Sequence, residues 1–323
     1  MRLRRLVLPL LALLLGSAAA HAQNVTRDVR LIVPYAPGGT VDALARMLAE
    51  ALSPALGGRS VVVENRSGGG TFIAMQALMN AGPDGHTLSI ASTAVLATSA
   101  VLPGMVMPID LDRALQPLSS LIRVPMVLVG QPNAPFRSLA ELIVHARANP
   151  GRLNIGQSGQ GSQTHLLAAR FKHEARLAME EIQYRGGTPA LLDILSGNAD
   201  LYFSLLPESL PFIRDGRLRA IAFASPERNP ALPEVPLMRE TLPGFTGDVA
   251  YGLVVAAGTP PAWLAYWNAA VNRAMNAPEF RARAAALHWV PSNGTPEDYA
   301  AEIARDRQVW GEVIRAAGIR AGS

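Results

Sequence analysis

The chain has 323 residues, with 29 Lys plus Arg against 25 Asp plus Glu, and it has no cysteine. This length predicts roughly two domains, and the absence of cysteine excludes disulfides and cysteine-ligated metal sites. The apolar fraction of 49% is enough for a buried core and argues against a disordered chain. Three of the basic residues and none of the acidic ones fall within residues 1–22, so the remainder carries 26 − 25 = +1. A nucleic-acid partner is therefore not expected.

The first 22 residues have the pattern of a secretory signal peptide. Arg2, Arg4 and Arg5 precede an apolar stretch at 6–15, and a small-residue segment ends in Ala20-His21-Ala22. An apolar core of about ten residues is too short to cross a bilayer, which argues against an uncleaved anchor. The sequence predicts an exported protein that is cleaved after Ala22.

Residues 29–52 predict a strand, a glycine-containing loop and a helix. The apolar run at 29–33 ends at Pro34, the loop at 34–40 contains Gly38 and Gly39, and Thr40 or Asp42 is expected to cap the helix. Backbone N–H groups at such a helix N-terminus bind anions. The loop contains no Lys, Arg, His, Cys or Ser. A site here would therefore hold an anion and not react with it.

The rest of the chain predicts further strand–loop–helix units, with Ser138 and Thr295 as helix caps. Residues 93–122 give only a weak pattern, interpreted as helix and irregular chain. The predicted strands are 60–64, 87–91, 125–130, 154–156, 181–184, 200–204, 220–224 and 251–256. The predicted helices are 42–52, 72–79, 139–148, 164–173, 188–196, 261–275, 278–286 and 296–317. This order predicts an α/β fold with parallel strands whose loops meet at one sheet edge.

Several enzyme signatures fail on inspection. The sole lysine, Lys172, follows Phe171, which excludes a P-loop, and Gln160 breaks the Gly-x-Ser-x-Gly pattern. No His-Glu-x-x-His pattern forms around His165. We therefore predict no catalytic residue, no metal site and no cofactor. The alternative enzyme is an exported hydrolase that pairs Ser158 with His165.

Three loops rich in small polar residues each follow a predicted strand and precede a predicted helix. They span residues 34–42, 65–71 and 157–164. One such loop is explained by its turn alone, but three favour a carboxylate or phosphate site between two lobes. Each helix N-terminus would contribute roughly 0.3–1 kcal/mol of charge–dipole attraction.

Six segments carry a family resemblance: PYAPGGTVDALAR, VVVENRSGGG, AGPDGHTL, LNIGQSGQGSQTHLLAARF, QYRGGTPALLDILSGNADLYF and YGLVVAAGTP. Together they resemble the Bug-type family, the periplasmic substrate-binding receptors of tripartite tricarboxylate transporters. The resemblance implies a type II-like, two-lobed periplasmic-binding-protein fold in which each lobe is a mixed sheet flanked by helices. It implies a signal peptide at 1–22, a first lobe built from 23–124 and 249–323, and a second lobe at 125–248.

The resemblance also implies a ligand site in which two loops hold a carboxylate through backbone amides and ordered waters. The implied binding residues are Tyr35, Ala36, Pro37, Gly38, Gly39, Thr40, Asp42, Ser92, Thr93, Ser158, Gly159, Gly161, Ser162, Thr164, His165, Tyr184 and Asp200. Phe72, Ile73, Met75 and the pair Ser204-Leu205 depart from the family pattern, which predicts a narrower or more apolar pocket.

The implied partners are a small organic acid and the membrane subunits of a tripartite transporter, with the receptor as a monomer. A binding protein that passes its ligand-bound state to a signalling partner is the alternative role. The sequence does not separate transport from sensing.

Overall fold

A computed structural model describes residues 25–68, 71–98, 100–105 and 108–320. The predicted signal peptide lies outside these residues. The first elements are β1 (Val29–Val33), α1 (Thr40–Leu52), β2 (Val61–Asn65), α2 (Phe72–Ala81), β3 (Thr87–Ser92), α3 (Thr93–Thr98), α4 (Leu111–Ala114), β4 (Leu115–Val124), β5 (Met126–Gly130), α5 (Leu139–Ala148) and β6 (Asn154–Gln157). The others are α6 (Gln163–Ala175), β7 (Glu180–Gln183), α7 (Gly187–Ser196), β8 (Leu201–Leu205), α8 (Leu206–Arg214), β9 (Arg219–Phe223), β10 (Val249–Ala256), α9 (Pro261–Asn276), α10 (Pro278–Ala286), β11 (Val290–Pro291) and α11 (Pro296–Ala317).

The strands form two mixed sheets, which we call sheet A and sheet B. Sheet A has the order β11-β4-β10-β3-β1-β2, and sheet B has the order β7-β6-β8-β5-β9. In sheet A, β1 is parallel to β2 and β3, while β10 is antiparallel to β3 and β4. In sheet B, β6 is parallel to β7 and β8, while β5 is antiparallel to β8 and β9. The predicted α/β fold with two mixed sheets flanked by helices is confirmed.

The chain crosses between the sheets twice. Pro125 alone separates β4 from β5, and residues 224–248 return the chain from β9 to β10. The two crossings are hydrogen-bonded to each other, since Met126 N–H donates to Ser225 Oγ at 3.0 Å and Ala224 N–H donates to Met126 O at 2.9 Å. Within the described residues, these two crossings are the only covalent connections between the sheets, so a relative motion of the sheets has to bend them.

The apolar helix faces that the sequence predicted are buried. Leu44, Leu48 and Leu52 of α1 are fully buried, as the sequence pattern predicted. α11 packs on β4 and α3, so the C-terminal helix returns to sheet A as expected. The caps at Ser138 and Thr295 are confirmed, because each side chain accepts a hydrogen bond from a backbone N–H in its helix's first turn. Within the described residues, no helix is both long enough and apolar enough to cross a membrane.

The interpretation of residues 93–122 was wrong where β4 begins. A ten-residue strand occupies Leu115–Val124, between β11 and β10 of sheet A. The strand contains Pro117 and the buried pair Ser119 and Ser120, which break the apolar pattern. Ser119 Oγ donates to Ser120 O at 2.9 Å, and Ser120 Oγ lies 3.1 Å from Ser292 Oγ. These hydrogen bonds stabilise the buried hydroxyl groups, and the bond of Ser120 depends on a partner far along the chain.

A candidate binding site between the two sheets

The first loop is shaped by Asp42. Its Oδ2 accepts a hydrogen bond from Gly38 N–H at 3.1 Å, and its carboxylate also binds Arg46 and the Asn65 amide. Burial acts to raise the pKa of Asp42, but these hydrogen bonds outweigh it and hold the pKa below its usual value. Gly38 has φ of +89°, which favours glycine. Asp42 therefore fixes the loop's shape from behind.

The expected side-chain cap of α1 was wrong. Gly39 is the N-cap residue, and no side chain of the helix caps the first turn. Gly39 has extended backbone, and a Cβ built on it would meet nothing within 4 Å. Ala36, Pro37 and Gly38 are exposed. The N-terminus of α1 is thus available to a group from outside the helix.

The third loop is organised by Thr164. Its Oγ1 accepts from Ser158 N–H at 2.8 Å and lies 2.9 Å from the hydroxyls of both Ser158 and Ser162. Ser162 Oγ donates to Gly159 O at 2.6 Å and receives a longer bond from His165 N–H, which makes it the side-chain cap of α6. The predicted hydroxyls therefore come together at one loop, where they bind one another and the local backbone.

The two ring nitrogens of His165 face Gly161 and Glu181 and not the Ser158 hydroxyl. Its Nδ1 accepts from Gly161 N–H at 3.1 Å, and its Nε2 lies 3.8 Å from Glu181 Oε2. Burial lowers the pKa of His165, although Glu181 acts in the opposite direction. Among the described residues, Ser158 forms hydrogen bonds with Thr164 and with the Tyr202 side chain, and not with this ring. The geometry gives Ser158 no base, so it lends no support to the hydrolase alternative.

Two other predicted residues bind partners within sheet B's own lobe. Tyr184 OH donates to Asp193 Oδ2 at 2.7 Å, and the Tyr184 ring lies beside Gly156, where a Cβ would be 3.2 Å from Cε2. Asp200 and Asn154 exchange two side-chain-to-backbone hydrogen bonds of 2.8 and 2.9 Å. Asp200 thereby joins the start of β8 to the start of β6, and a direct contact with ligand stays a prediction.

The loop edges of the two sheets meet at Thr40 and Glu208. Thr40 is the first residue of α1, and its hydroxyl donates to Glu208 Oε1 at 3.1 Å. Glu208 lies in the first turn of α8, directly after β8 of sheet B. Burial raises the pKa of Glu208, while hydrogen bonds from the side chain and backbone of Thr40 partly offset this. A carboxyl group from one lobe therefore rests on the helix N-terminus of the other.

Three tyrosines surround this contact. The rings of Tyr35 and Tyr251 pack edge to face with centroids 6.3 Å apart. Burial raises the pKa of Tyr251 well above its usual value, and Tyr35, Glu208 and Tyr202 raise it further. Burial likewise raises the pKa of Tyr202, with Glu208 adding to the effect. The group formed by Tyr35, Tyr202, Tyr251 and Glu208, which we call the tyrosine–glutamate cluster, lies where the lobes meet.

A second contact between the lobes involves the third loop. Thr98 Oγ1 at the end of α3 donates to Gly161 O at 3.4 Å, and a Cβ on Gly161 would lie 3.4 Å from the Met105 methyl group. Ser92 and Thr93 are buried at the β3–α3 junction, where Ser92 pairs with Tyr251 across the sheet. The first and third loops are thus both at the interface between the lobes, and their role as opposing sides of one ligand site stays a prediction.

Two grooves lie elsewhere on the protein. One of about 400 Å³ is lined by Phe72, Ile73, Gln76, Ala77, Asn80, Pro108 and Ile109, and another of about 370 Å³ lies against β9 and the start of α5. Neither lining includes a predicted binding residue. The candidate site lies where the lobes touch, at the contacts of Thr40 with Glu208 and of Thr98 with Gly161. Met75, one of the residues that depart from the family pattern, is buried in the core.

Sequence reasoning missed three members of the tyrosine–glutamate cluster: Tyr202, Glu208 and Tyr251. The signal for Glu208 was its place four residues after a predicted strand, at the edge where the loops were expected to meet. Tyr202 and Tyr251 lie in predicted strands, where an aromatic residue is equally well explained by the core. Their closeness to the first loop depends on how the two sheets face each other.

Comparison with known proteins shows what the whole chain resembles. Residues 44–319 match the family model described as the tripartite tricarboxylate transporter family receptor. BugT of Bordetella pertussis is 34% identical over 297 residues, which are 91% of this chain and 90% of that protein.

Solved structures agree with the fold described above. The R. palustris protein Rpa4515, solved with adipate, superimposes with a TM-score of 0.86 at 30% identity, covering 92% of this chain and 99% of that one. MatC from Rhodopseudomonas palustris, solved with bound malate, gives a TM-score of 0.82 at 28% identity, covering 90% and 99%. The expected two-lobed periplasmic-binding-protein fold is confirmed.

Proposed function

Because the chain belongs to the tripartite tricarboxylate transporter receptor family, we propose that it is a periplasmic receptor that binds a small organic carboxylate between its lobes. The observation that carries this proposal is the Glu208 carboxyl group on the N-terminus of α1, held by the Thr40 hydroxyl at 3.1 Å. It supports the idea that the amide-lined edge of the cleft accepts a carboxylate. The adipate and malate bound by two structural neighbours agree with the same chemistry.

The proposed binding mode is a clamp. Residues 23–124 and 249–323 form one lobe, residues 125–248 form the other, and the paired crossings near Pro125 and Ser225 act as the hinge. The first loop presents backbone N–H groups from one lobe, and the loop at 157–164 faces it from the other. A carboxylate that contacts both loops binds the closed arrangement more tightly than the open one. The difference between these two affinities sets how far the ligand shifts the protein toward the closed arrangement.

The proposal also covers the location of the protein and its membrane partner. The protein is exported, its signal peptide is cleaved after Ala22, and the ligand-bound monomer delivers its cargo to the membrane subunits of the transporter. No chemical step is required of the receptor. The arrangement of Ser158 and His165 described above agrees with binding without turnover.

A thermal-shift screen with mono-, di- and aromatic carboxylates, followed by calorimetry on the hits, tests the proposal. A ligand present at 100 times its Kd adds about 2.7 kcal/mol to the free energy of unfolding, which a melting curve detects. We expect at least one acid to bind with one-to-one stoichiometry. Failure of every acid to bind would contradict the proposal, as would turnover that disappears in His165→Ala.

A further inference from the structure

The carboxyl group of Glu208 lies between the N-termini of two helices. Its Oε1 accepts from the Thr40 hydroxyl at the start of α1. Its Oε2 lies beside Gly187, the first residue of α7, because a Cβ built there would be 2.9 Å from Oε2 and 3.1 Å from the Tyr202 hydroxyl. Two helix N-termini favour an anion. The chain therefore fills this anion position with a carboxyl group of its own.

One oxygen of this carboxyl group lacks a partner. Oε2 of Glu208 has no solvent access and no hydrogen-bond partner within the part of the chain that the structure describes. The influences on the pKa of Glu208 are burial and Thr40, with no arginine or lysine among them. Buried polar atoms without partners are rare in native proteins, and they often mark a place for a missing group. When Glu208 is ionised, the missing group has to donate a hydrogen bond, since a carboxylate oxygen only accepts.

Among the described residues, the side chains that surround Glu208 do not supply a positive charge. Tyr202 and Tyr251 are buried, and the raised pKa of each hydroxyl keeps it protonated and neutral. Tyr35 adds a third neutral ring through its edge-to-face contact with Tyr251. This end of the cleft thus combines one acidic group with aromatic walls, and aromatic faces also attract cations.

We propose that Glu208 sets the ligand class: a monocarboxylate whose far end carries an ammonium or a similar cationic donor, which binds Oε2 of Glu208. The ligand carboxylate is then held by the remaining amides of the first and third loops. A second ligand carboxylate is excluded, because two carboxylates at one enclosed site repel each other. This inference rests on the proposed function, namely that the cleft binds a small carboxylate.

Matched acids test the inference directly. For each chain length from about three to eight carbons, an α,ω-dicarboxylate is compared with the ω-amino acid of equal length, so that adipate is paired with 6-aminohexanoate. Calorimetry on the wild-type protein is expected to show the amino acid binding roughly ten- to a hundredfold more tightly, the range of one to two powers of ten that a charge-assisted contact supplies.

Glu208→Gln keeps the side-chain shape and the acceptor for Thr40 but removes the negative charge. It is expected to lower the affinity for the amino acid and raise that for the dicarboxylate, so that the preference falls by roughly tenfold or more. Glu180→Gln makes the same change at an exposed position on β7 and is expected to leave the preference unchanged. If Glu208→Gln does not fold, the wild-type comparison decides by itself.

The outcomes separate the two proposals. Preference of the wild-type protein for dicarboxylates, or an unchanged preference in folded Glu208→Gln, would overturn the role of Glu208 and leave the receptor function standing. Binding of neither series, together with failure of the wider acid screen, would overturn the receptor function itself.

Discussion

Arg123 and Asp248 form an ion pair of 3.1 Å at the place where the chain passes between the two sheets. Arg123 lies next to the end of β4, and Asp248 immediately precedes β10. Arg123 also forms an ion pair with Glu302 of α11, whose side chain is 7% exposed. One guanidinium therefore joins both crossings to the C-terminal helix, which makes it a structural element of the proposed hinge.

Removing Arg123 leaves several acids without their cation. Arg123→Ala is expected to lower the free energy of unfolding by roughly 2–4 kcal/mol, because Asp248 and Glu302 then remain enclosed and unpaired. Urea denaturation followed by circular dichroism measures the change. The matched control is Arg113→Ala, whose side chain is 90% exposed and pairs with Asp110 at 3.4 Å. The control is expected to change stability by less than about 1 kcal/mol; equal losses would contradict this account of the hinge.

Asp306 adds a pH dependence to the same region. Burial and the neighbouring acids Glu302 and Asp248 raise its pKa from 3.8 to about 6, while Arg123 and Arg305 act in the opposite direction. As pH rises, Asp306 loses its proton at a lower pH in the unfolded chain than in the folded protein. Deprotonation therefore favours the unfolded chain, and the free energy of unfolding falls as pH rises from about 4 to about 6.

Asp306→Asn removes this contribution. The variant is expected to be more stable than the wild-type protein at pH 7 by on the order of 1–3 kcal/mol, and the difference is expected to vanish below pH 4. Thermal unfolding across pH 3.5–7.5 measures both proteins. A difference of the same size at every pH would show that Asp306 acts through packing and not through its charge.

Gly252 of β10 tests how α11 packs on sheet A. A Cβ at this position would lie 2.3 Å from Tyr299 Cζ and 2.7 Å from Ser119 O, so Tyr299 and the neighbouring strand would have to shift. Gly252→Ala is expected to lower the free energy of unfolding by about 1–3 kcal/mol.

A glycine of α11 provides the control for that change. Gly311 lies inside the helix, and a Cβ there would meet only the flexible end of Arg315, at 3.4 Å. Gly311→Ala is expected to raise stability by roughly 0.5–1 kcal/mol, because alanine favours the helix. Chemical denaturation of both variants checks the pair. Tolerance of Gly252→Ala would contradict the close contact with Tyr299.

The first loop can be altered without disturbing its surroundings. Gly39 has an allowed backbone conformation for any residue, and a Cβ there meets nothing within 4 Å. Gly39→Val is expected to keep the melting temperature of the free protein while it weakens carboxylate binding roughly tenfold or more, since the branched side chain covers the N-terminus of α1. Calorimetry against the best acid of the screen checks this, with Gly39→Ala as the smaller control. Unchanged affinity in Gly39→Val would show that this loop does not hold the ligand.

Local sequence patterns predicted the regular elements that have clear periodicity and capping. The strand at β1, the helix face of Leu44 and Leu48, and the caps at Ser138 and Thr295 all follow from residues close together in the chain. β4 was missed because Ser120 is buried through partners far along the chain, Ser292 and Glu302. α8 was missed because Pro207 and Pro211, one at its start and one inside it, indicate a loop more than a helix.

The residues of the candidate site divide in the same way between local and distant features. The glycine loops and hydroxyls are local features, and the structure brings the first and third loops to one interface. The contact of Glu208 with Thr40 joins residues 168 positions apart, and it depends on the orientation of one sheet against the other. No local pattern carries that information.

The most direct test of the receptor's central role is mass spectrometry of the small molecules released by denaturing protein that was purified from the periplasm without refolding. The account predicts one equivalent of an organic acid in the wild-type protein and much less in Gly39→Val. Release of a ligand that lacks a carboxylate, or equal retention by Gly39→Val, would contradict it.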